Sequence, residues 1–425
     1  MYCGSCIRDN RLAATLLAQG RDVVLIPLYT PLKTDERDVS RPTVYYGGIN
    51  VYLEQRFRFF RRLPAALGRV LDAPALLRRL GRWSGSVRAE DLGPMTVSVL
   101  RGEAGAQKTE LRKLIDALKV LRPSLVHLPN LALIGAAAAV KRELRVPVFC
   151  TLSGEDIFLD ALPEPYHSES FRLIREGARD VDAFISVTRY YADFAADHFG
   201  LSPQRIHVVP LGIACEDFDG PGEAPGRPFV IGYLARVCEP KGLHNLCEAL
   251  VQLRRDGRDC RLVAAGYLSR GDKPYLDRVL ADLKRAGCAD CFEYLGEVTR
   301  EQKTRMLRSV HAFSVPTVYR EAKGLYVLEA LAAGVPVVQP AHGSFPELIE
   351  ATGGGLLYEP SGPSARAALS QTLSRLMDDP ALREKLGASG RAAVREKHSD
   401  AVMAARTWAL YERYCGGAGD IGPRG

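Results

Sequence analysis

No run in this sequence approaches the roughly 18 uncharged apolar residues needed to cross a bilayer; the longest candidates, Leu131 to Val140 and Val335 to Val338, are too short. The first residues, Met1-Tyr2-Cys3-Gly4-Ser5-Cys6, offer neither a basic nor an apolar signal region, so the expectation is a cytoplasmic protein. Low-complexity tracts are absent, which excludes a disordered linker or a fibrous repeat. Cysteine is sparse, ten in 425 residues, and without an export signal these thiols are expected to be reduced. Two C-x-x-C spacings occur, Cys3/Cys6 and Cys288/Cys291. A structural zinc would need both pairs to converge from opposite halves of the chain, and neither has a close His partner. They read as small residues at a turn and a helix end. No group of Asp, His or Cys shows metal-ligand spacing, so no metal is expected. Zinc-finger, RNA-binding and basic-zipper signatures are likewise missing, and a nucleic acid partner is not expected.

What is present is an ordinary globular composition, 47% hydrophobic and 25% charged. Its length exceeds what one core fills, which points to two domains. The net charge of +7 is unevenly spread. Between Arg56 and Arg88 nine arginines face a single acid, Asp72, and Phe57, Phe59, Phe60, Leu63, Leu67 and Leu71 interleave with them. Such a basic amphipathic segment suits an anionic membrane face or a phosphate-bearing acceptor, and equally a solvated helical face. A membrane-peripheral location is therefore one of the expectations.

Short β-branched runs alternate with helical patterns. Strands are expected at Val23 to Leu28, Thr96 to Leu100, Leu125 to Leu128, Val146 to Thr151, Ala183 to Val187 and Ile206 to Val209. A Pro- and Gly-rich stretch, Pro221 to Arg227, interrupts the pattern. A second series follows: Phe229 to Tyr233, Arg261 to Ala265, Phe292 to Leu295, Ala312 to Val315 and Val335 to Gln339. Alternation of this kind predicts α/β architecture, two doubly wound parallel-sheet domains with ligands beyond the carboxyl ends of the strands. The expected organisation is 1–215, 216–398, a helix over 399–415 that packs back, and a flexible tail over 416–425.

The chemistry concentrates between Pro316 and Glu347. A strand ends at Pro316, a polar loop carries Glu321, Gly324 opens a helix bearing Glu329, and Gly334 closes it before the next strand. A helix N-terminus near Gly324 is a seat for phosphate. Upstream, Arg236 and Lys241 flank a turn ending in Gly242, after one strand and before the next helix. Arg grips phosphate oxygens in bidentate fashion and Lys adds a mobile point charge.

These segments resemble the retaining glycosyltransferases of family 4, which have the GT-B fold: two Rossmann-like domains facing a central cleft. The stretch from Glu321 to Glu329 is similar to the family's E-x7-E region, and Gly343-Ser-Phe-Pro346-Glu347 to its continuation. The resemblance implies that Glu321, the candidate catalytic residue, faces the donor sugar and that Glu329 holds the ribose hydroxyls. Arg236 and Lys241 correspond to the diphosphate loop, and Gly324 and Leu325 to the phosphate seat. Lys323 stands where the family usually has an aromatic residue, and is expected to touch the donor. In the N-terminal half Gly4 occupies the place of a paired-glycine loop. The family has a strand ahead of that loop, so the expectation is that a first strand precedes Met1. Cys150-Thr-Leu-Ser153-Gly154-Glu155-Asp156 is similar to a segment in which the family has His at the position of Ser153. Serine donates one hydrogen bond but does not protonate at neutral pH. Ser153, Glu155, Asp156, His127 and Asn130 are the acceptor-side or sugar-contacting candidates, with His127 equally readable as structural. Gly47-Gly48 reads either as a loop over the acceptor or as a plain turn.

The function implied is hexose transfer, with retention, from a nucleoside diphosphate sugar to a hydroxyl on a carbohydrate, lipid-linked or small-molecule acceptor. No cofactor is expected beyond that co-substrate. Two alternatives use the same residues: a GT-B-like epimerase or phosphorylase, and a non-catalytic nucleotide-sugar-binding protein.

Overall fold

A computed structural model describes residues 4–29, 32, 34–46, 89–220, 226–362 and 365–416. The arginine-rich segment Arg56 to Arg88, the Gly47-Gly48 loop, Cys3, Pro221 and the 417–425 tail lie outside the described residues. The chain divides into two units. One comprises 5–209 with 404 onward, the other 210–403 with Gly4.

The first unit is built on a four-stranded parallel sheet in the order β1 (Val126–Leu128), β2 (Val148–Leu152), β3 (Ala183–Ser186), β4 (Ile206–Val208). Its register pairs Val126 with Val148, Cys150 with Phe184 and Ser186 with Val208. Helices α1 (Gly4–Ala18), α2 (Ala89–Leu100), α3 (Lys108–Leu121), α4 (Ala137–Leu144), α5 (Asp156–Asp160), α6 (Tyr166–Gly177) and α7 (Arg189–Phe199) surround it. Strand β2 is buried along its whole length, as a strand covered on both faces must be.

Two expected strands differ. Thr96 to Leu100 belongs to α2 rather than to the sheet. Its apolar run does not distinguish a buried strand from a buried helix, and the deciding contact is remote. Any Cβ on Gly135 would stand 2.4 Å from the Leu100 carbonyl oxygen and 2.5 Å from that of Val99, so the helix end rests directly on that backbone. Val23 to Leu28 forms no strand among the described residues; an isolated parallel bridge links Leu28 to Tyr45, and the Arg41 and Tyr45 N–H groups donate to the Leu25 and Pro27 carbonyls.

The second unit carries a six-stranded parallel sheet in the order β10-β9-β8-β5-β6-β7. Its strands are β5 (Phe229–Leu234), β6 (Cys260–Ala265), β7 (Phe292–Tyr294), β8 (Ala312–Phe313), β9 (Val337–Pro340) and β10 (Gly355–Tyr358). Helices α8 (Leu243–Arg255), α9 (Lys273–Arg285), α10 (Arg300–Arg308), α11 (Leu325–Ala332), α12 (Phe345–Thr352), α13 (Ala365–Asp378) and α14 (Pro380–Lys397) connect them. The order reverses between β5 and β8, which pair Ile231 with Ala312 and Gly232 with Phe313. The crevice at the carboxyl ends of two such strands is where open α/β sheets bind ligands. Cys288 and Cys291 are buried free thiols at the turn from α9 into β7.

The last helix, α15 (Asp400–Cys415), carries Trp408 against Leu16 and Ala404, with Leu12, Val23 and Tyr411 around them. Arg21 lies 4.7 Å from the centre of the Trp408 ring. The Tyr411 hydroxyl meets His127 Nδ1 at 2.6 Å, and Phe149 sits edge-on to Tyr411 and Tyr414. This aromatic seam covers one face of the first sheet. Trp408→Ala should therefore lower stability by about 3 kcal/mol, read from thermal or denaturant unfolding. A loss below about 0.5 kcal/mol, the range of ordinary surface substitutions, would show that the helix is not anchored there.

Candidate functional site

The loops leaving β5 and β8 meet at the reversal point of the second sheet. Gly242, at φ +72°, ends the first loop, and any Cβ there would stand 1.8 Å from the Pro316 carbonyl oxygen. Gly343, at φ +62°, is pressed on the Glu321 backbone, where a Cβ would come within 2.6 Å of its nitrogen. Only glycine permits both the left-handed conformation and the close approach. The Val318 N–H donates to the Pro240 carbonyl at 2.9 Å and that of Ser344 to the Glu321 carbonyl at 2.8 Å, completing a three-loop frame.

Glu321 is held inside this frame. Its Oε2 accepts from Lys241 Nζ at 2.6 Å, the Tyr319 hydroxyl at 2.9 Å and the Tyr326 hydroxyl at 3.0 Å. Its Oε1 accepts from the Lys323 backbone N–H at 3.3 Å. The Lys241 ammonium lies 5.0 Å from the centre of the Tyr319 ring and 5.1 Å from that of Tyr326. Burial pushes the Glu321 carboxyl up, but the Lys241 charge and the hydrogen bonds from Lys241, Tyr319 and the Lys323 backbone outweigh it and hold the group at about 2. Glu321 is therefore a carboxylate at neutral pH, able to face positive charge and unable to lend a proton.

Gly324, at φ +65°, caps the start of α11. Leu325 is half-buried as the first helical residue, and Val327 to Ala332 are buried. The free N–H groups of that first turn and the helix dipole favour an anion. Glu329 is buried further along α11, and Lys303 Nζ of α10 donates to its Oε1 at 2.6 Å. Arg236 is exposed and turned to Asp272, with its Nη2 2.7 Å and Nε 3.2 Å from Oδ2. Lys323 meets the Glu321 cluster through its backbone N–H. Ser314 Oγ, Thr317 Oγ1, Gln339 Nε2, His342 Nδ1 and Ser344 Oγ are buried with no hydrogen-bond partner among the described residues. Buried polar atoms of this kind are satisfied by water or ligand.

The remaining candidates, Gly4 apart, belong to the first unit. Gly4 is the first residue of α1, with open space where a Cβ would stand. The Ser153 hydroxyl donates to the Pro129 carbonyl at 3.2 Å and accepts from Arg8 Nη1 at 3.3 Å. Glu155 accepts the Ser153 N–H through both oxygens, at 3.0 and 2.8 Å, and Asp156 accepts the Tyr191 hydroxyl at 2.8 Å. Asn130 Oδ1 is buried and finds no partner among the described residues. His127 is different: Tyr411 and the Thr151 hydroxyl, at 2.6 and 2.8 Å, occupy its two ring nitrogens. Burial, then the Arg8 charge, lowers it to about 3. It is a neutral tie between the sheet and α15, the structural one of its two readings.

Five side chains at these places escaped the sequence reading: Tyr319, Tyr326, Asp272, Lys303 and Arg8. The two tyrosines flank Glu321 at −2 and +5, a spacing that could have drawn attention. The other three meet their partners only through the fold.

The chain is similar to known glycosyltransferases. The family described as "Glycosyl transferases group 1" matches residues 216–393, and "Glycosyltransferase Family 4" matches residues 81–217. An MMP α-(1→4)-mannosyltransferase of Mycolicibacterium hassiacum is 29% identical over 243 residues, 56% of this chain and 55% of that one. A phosphatidyl-myo-inositol mannosyltransferase of Mycobacterium leprae is 29% identical over 208 residues, 48% of this chain and 52% of that one. The chain thus spans a little over half the length of these curated relatives. Sucrose-phosphate synthase of Thermosynechococcus elongatus superposes with a TM-score of 0.61 at 18% identity, covering 73% of this chain and 79% of the other. The fold is GT-B, two Rossmann-like units with parallel sheets. By its matches the chain belongs with the GT-B glycosyltransferases of the family 4 type.

Lys241→Met removes the counter-charge and leaves burial dominant over Glu321. The group should then take up a proton above its ordinary 4.5, where in the native protein it stays ionised. The ¹³C shift of the Glu321 carboxyl, followed from pH 4.5 to neutrality, checks this. A flat trace in the variant would show that Lys241 does not set the charge.

Proposed function

We propose that the protein transfers a hexosyl group from a nucleoside diphosphate sugar to a hydroxyl acceptor, with retention at the anomeric carbon. The observation that carries this reading is the Glu321 carboxylate, bonded to Lys241 Nζ at 2.6 Å beside the N-terminus of α11 at the reversal point of the sheet. A diphosphate seated on the first-turn amides of α11 receives the helix dipole and the Lys241 charge. Arg236 exchanges Asp272 for phosphate oxygens and adds a bidentate grip. With these groups meeting the charge of the leaving diphosphate, the reading calls on no metal.

As the bond from the anomeric carbon to the diphosphate oxygen breaks, its electron pair goes to the diphosphate. The acceptor oxygen bonds the same face of the anomeric carbon, and its proton passes to the departing phosphate oxygen. Glu321, held anionic, stabilises the positive charge that develops on the sugar. Glu329 holds the ribose. Ser153, Glu155, Asp156 and Asn130 form the acceptor-side set, Ser153 contributing a hydrogen bond where the family has an imidazole. The names of the mannosyltransferase relatives support a hexose donor, and a carbohydrate, lipid-linked or small-molecule alcohol is the class of acceptor.

A second reading, nucleotide-sugar binding without turnover, has Ser153 in its favour, since this side chain cannot take up the protonated role of histidine. Incubation with radiolabelled UDP, GDP and ADP sugars separates the two. Transfer is expected from one of them, with retained configuration by the anomeric proton coupling of the product. Glu321→Gln should lower kcat about 10²- to 10³-fold with donor affinity little changed. Donor binding without turnover would favour the second reading, and no binding of any donor would overturn both.

A further inference from the structure

We propose that Lys303 is a positioning residue for donor recognition, fixing Glu329 so that one carboxylate oxygen is presented to a ribose hydroxyl. This inference rests on the donor site described above. Helix α10 opens with a capping box in which Thr299 and Gln302 satisfy each other's backbone N–H groups. The box fixes the first turn and puts Lys303 on the inner face with Thr304, Met306 and Leu307. A lysine on a buried face needs a partner. It finds one on α11: Nζ donates to Glu329 Oε1 at 2.6 Å, with the two side chains only 7% and 8% exposed.

Stability does not account for such a pair. Burying two charges is expensive, and well-packed apolar residues commonly do as well or better. The adjoining positions of α11 show the apolar solution, with Leu328 and Ala330 fully buried. What the lysine gives is direction. It donates to Oε1, and Glu329 shows no second side-chain donor among the described residues. The carboxylate is thereby held in one orientation with its charge balanced, and Oε2 remains to accept a hydrogen bond. Glu329 lies five residues beyond Gly324, about 7 Å along the helix axis from the phosphate seat. A phosphate is repelled at that place, whereas a neutral hydroxyl one sugar ring away from the diphosphate is matched in charge and in reach.

The test separates ribose reading from general affinity. Isothermal titration of the full chain with UDP, GDP and ADP selects the nucleotide, and its 2′-deoxy and 3′-deoxy forms are then compared. The native protein should prefer the ribonucleotide to one of the deoxy forms by about 10-fold or more, the worth of a hydrogen bond to a charged group. Lys303→Met should weaken ribonucleotide binding by about that factor and leave the deoxy form nearly unchanged, so that the preference collapses. Lys303→Arg, which keeps the charge and the donor, should restore part of it. If Lys303→Met folds poorly, the double variant Lys303→Met with Glu329→Gln removes both buried charges together, and it too should lose the preference. A variant that binds every nucleotide more weakly but keeps the ribo-to-deoxy ratio, or one that changes nothing, would overturn the proposal. Failure of the native protein to bind any of the three nucleotides would contradict the donor site itself and remove this inference with it.

Discussion

The contact between Lys241 and Glu321 joins two loops that leave neighbouring strands in opposite directions along the sheet. Their meeting depends on glycine backbones, because at Gly242 and Gly343 any side chain would collide with the carbonyl of Pro316 or the amide of Glu321. Once the loops touch, one ammonium and two phenols converge on a single carboxylate oxygen. A carboxylate so surrounded stays charged although it is buried, and the cation beside it remains within reach of an anionic ligand. The rest of the site follows from this arrangement. Helix α11 starts directly after the loop, from Gly324.

The stretch from Pro316 to Glu347 was legible in the sequence because its information is local. A strand end, a polar loop, a glycine, an eight-residue helix and another glycine each leave a mark within a few residues, and their order carries the resemblance. Five of the six strands of the second sheet were legible for the same reason, since β-branched runs alternate with amphipathic helices; β10, a short run after paired glycines, was not. Nor was the strand order of the sheet. The reversal between β5 and β8, which explains why these two loops form the site, is a property of pairing between segments 81 residues apart in register, as Ile231 with Ala312 shows.

Where the sequence misled or left a reading open, the missing term was a distant partner. Thr96 to Leu100 has the composition of a strand but ends a helix seated on the backbone of Gly135. His127 stands at the end of a strand, as a ligand-binding histidine does, yet Tyr411 and Thr151 use both its nitrogens. Arg236 carries the expected charge, and Asp272 on a different loop decides where it points. Lys303 has no local signature; only its ion pair with Glu329, 26 residues on, gives it meaning.

The central claim is that the carboxyl ends of β5 and β8, with the N-terminus of α11, form a seat for the diphosphate of a nucleotide sugar. A crystal structure of the full chain grown with the nucleoside diphosphate that binds it tests this most directly. The account predicts phosphate oxygens within hydrogen-bonding distance of the first-turn amides of α11 and of Lys241 Nζ, with Arg236 released from Asp272. A nucleotide bound elsewhere, with Lys241 and Arg236 keeping their present carboxylate partners, would contradict it.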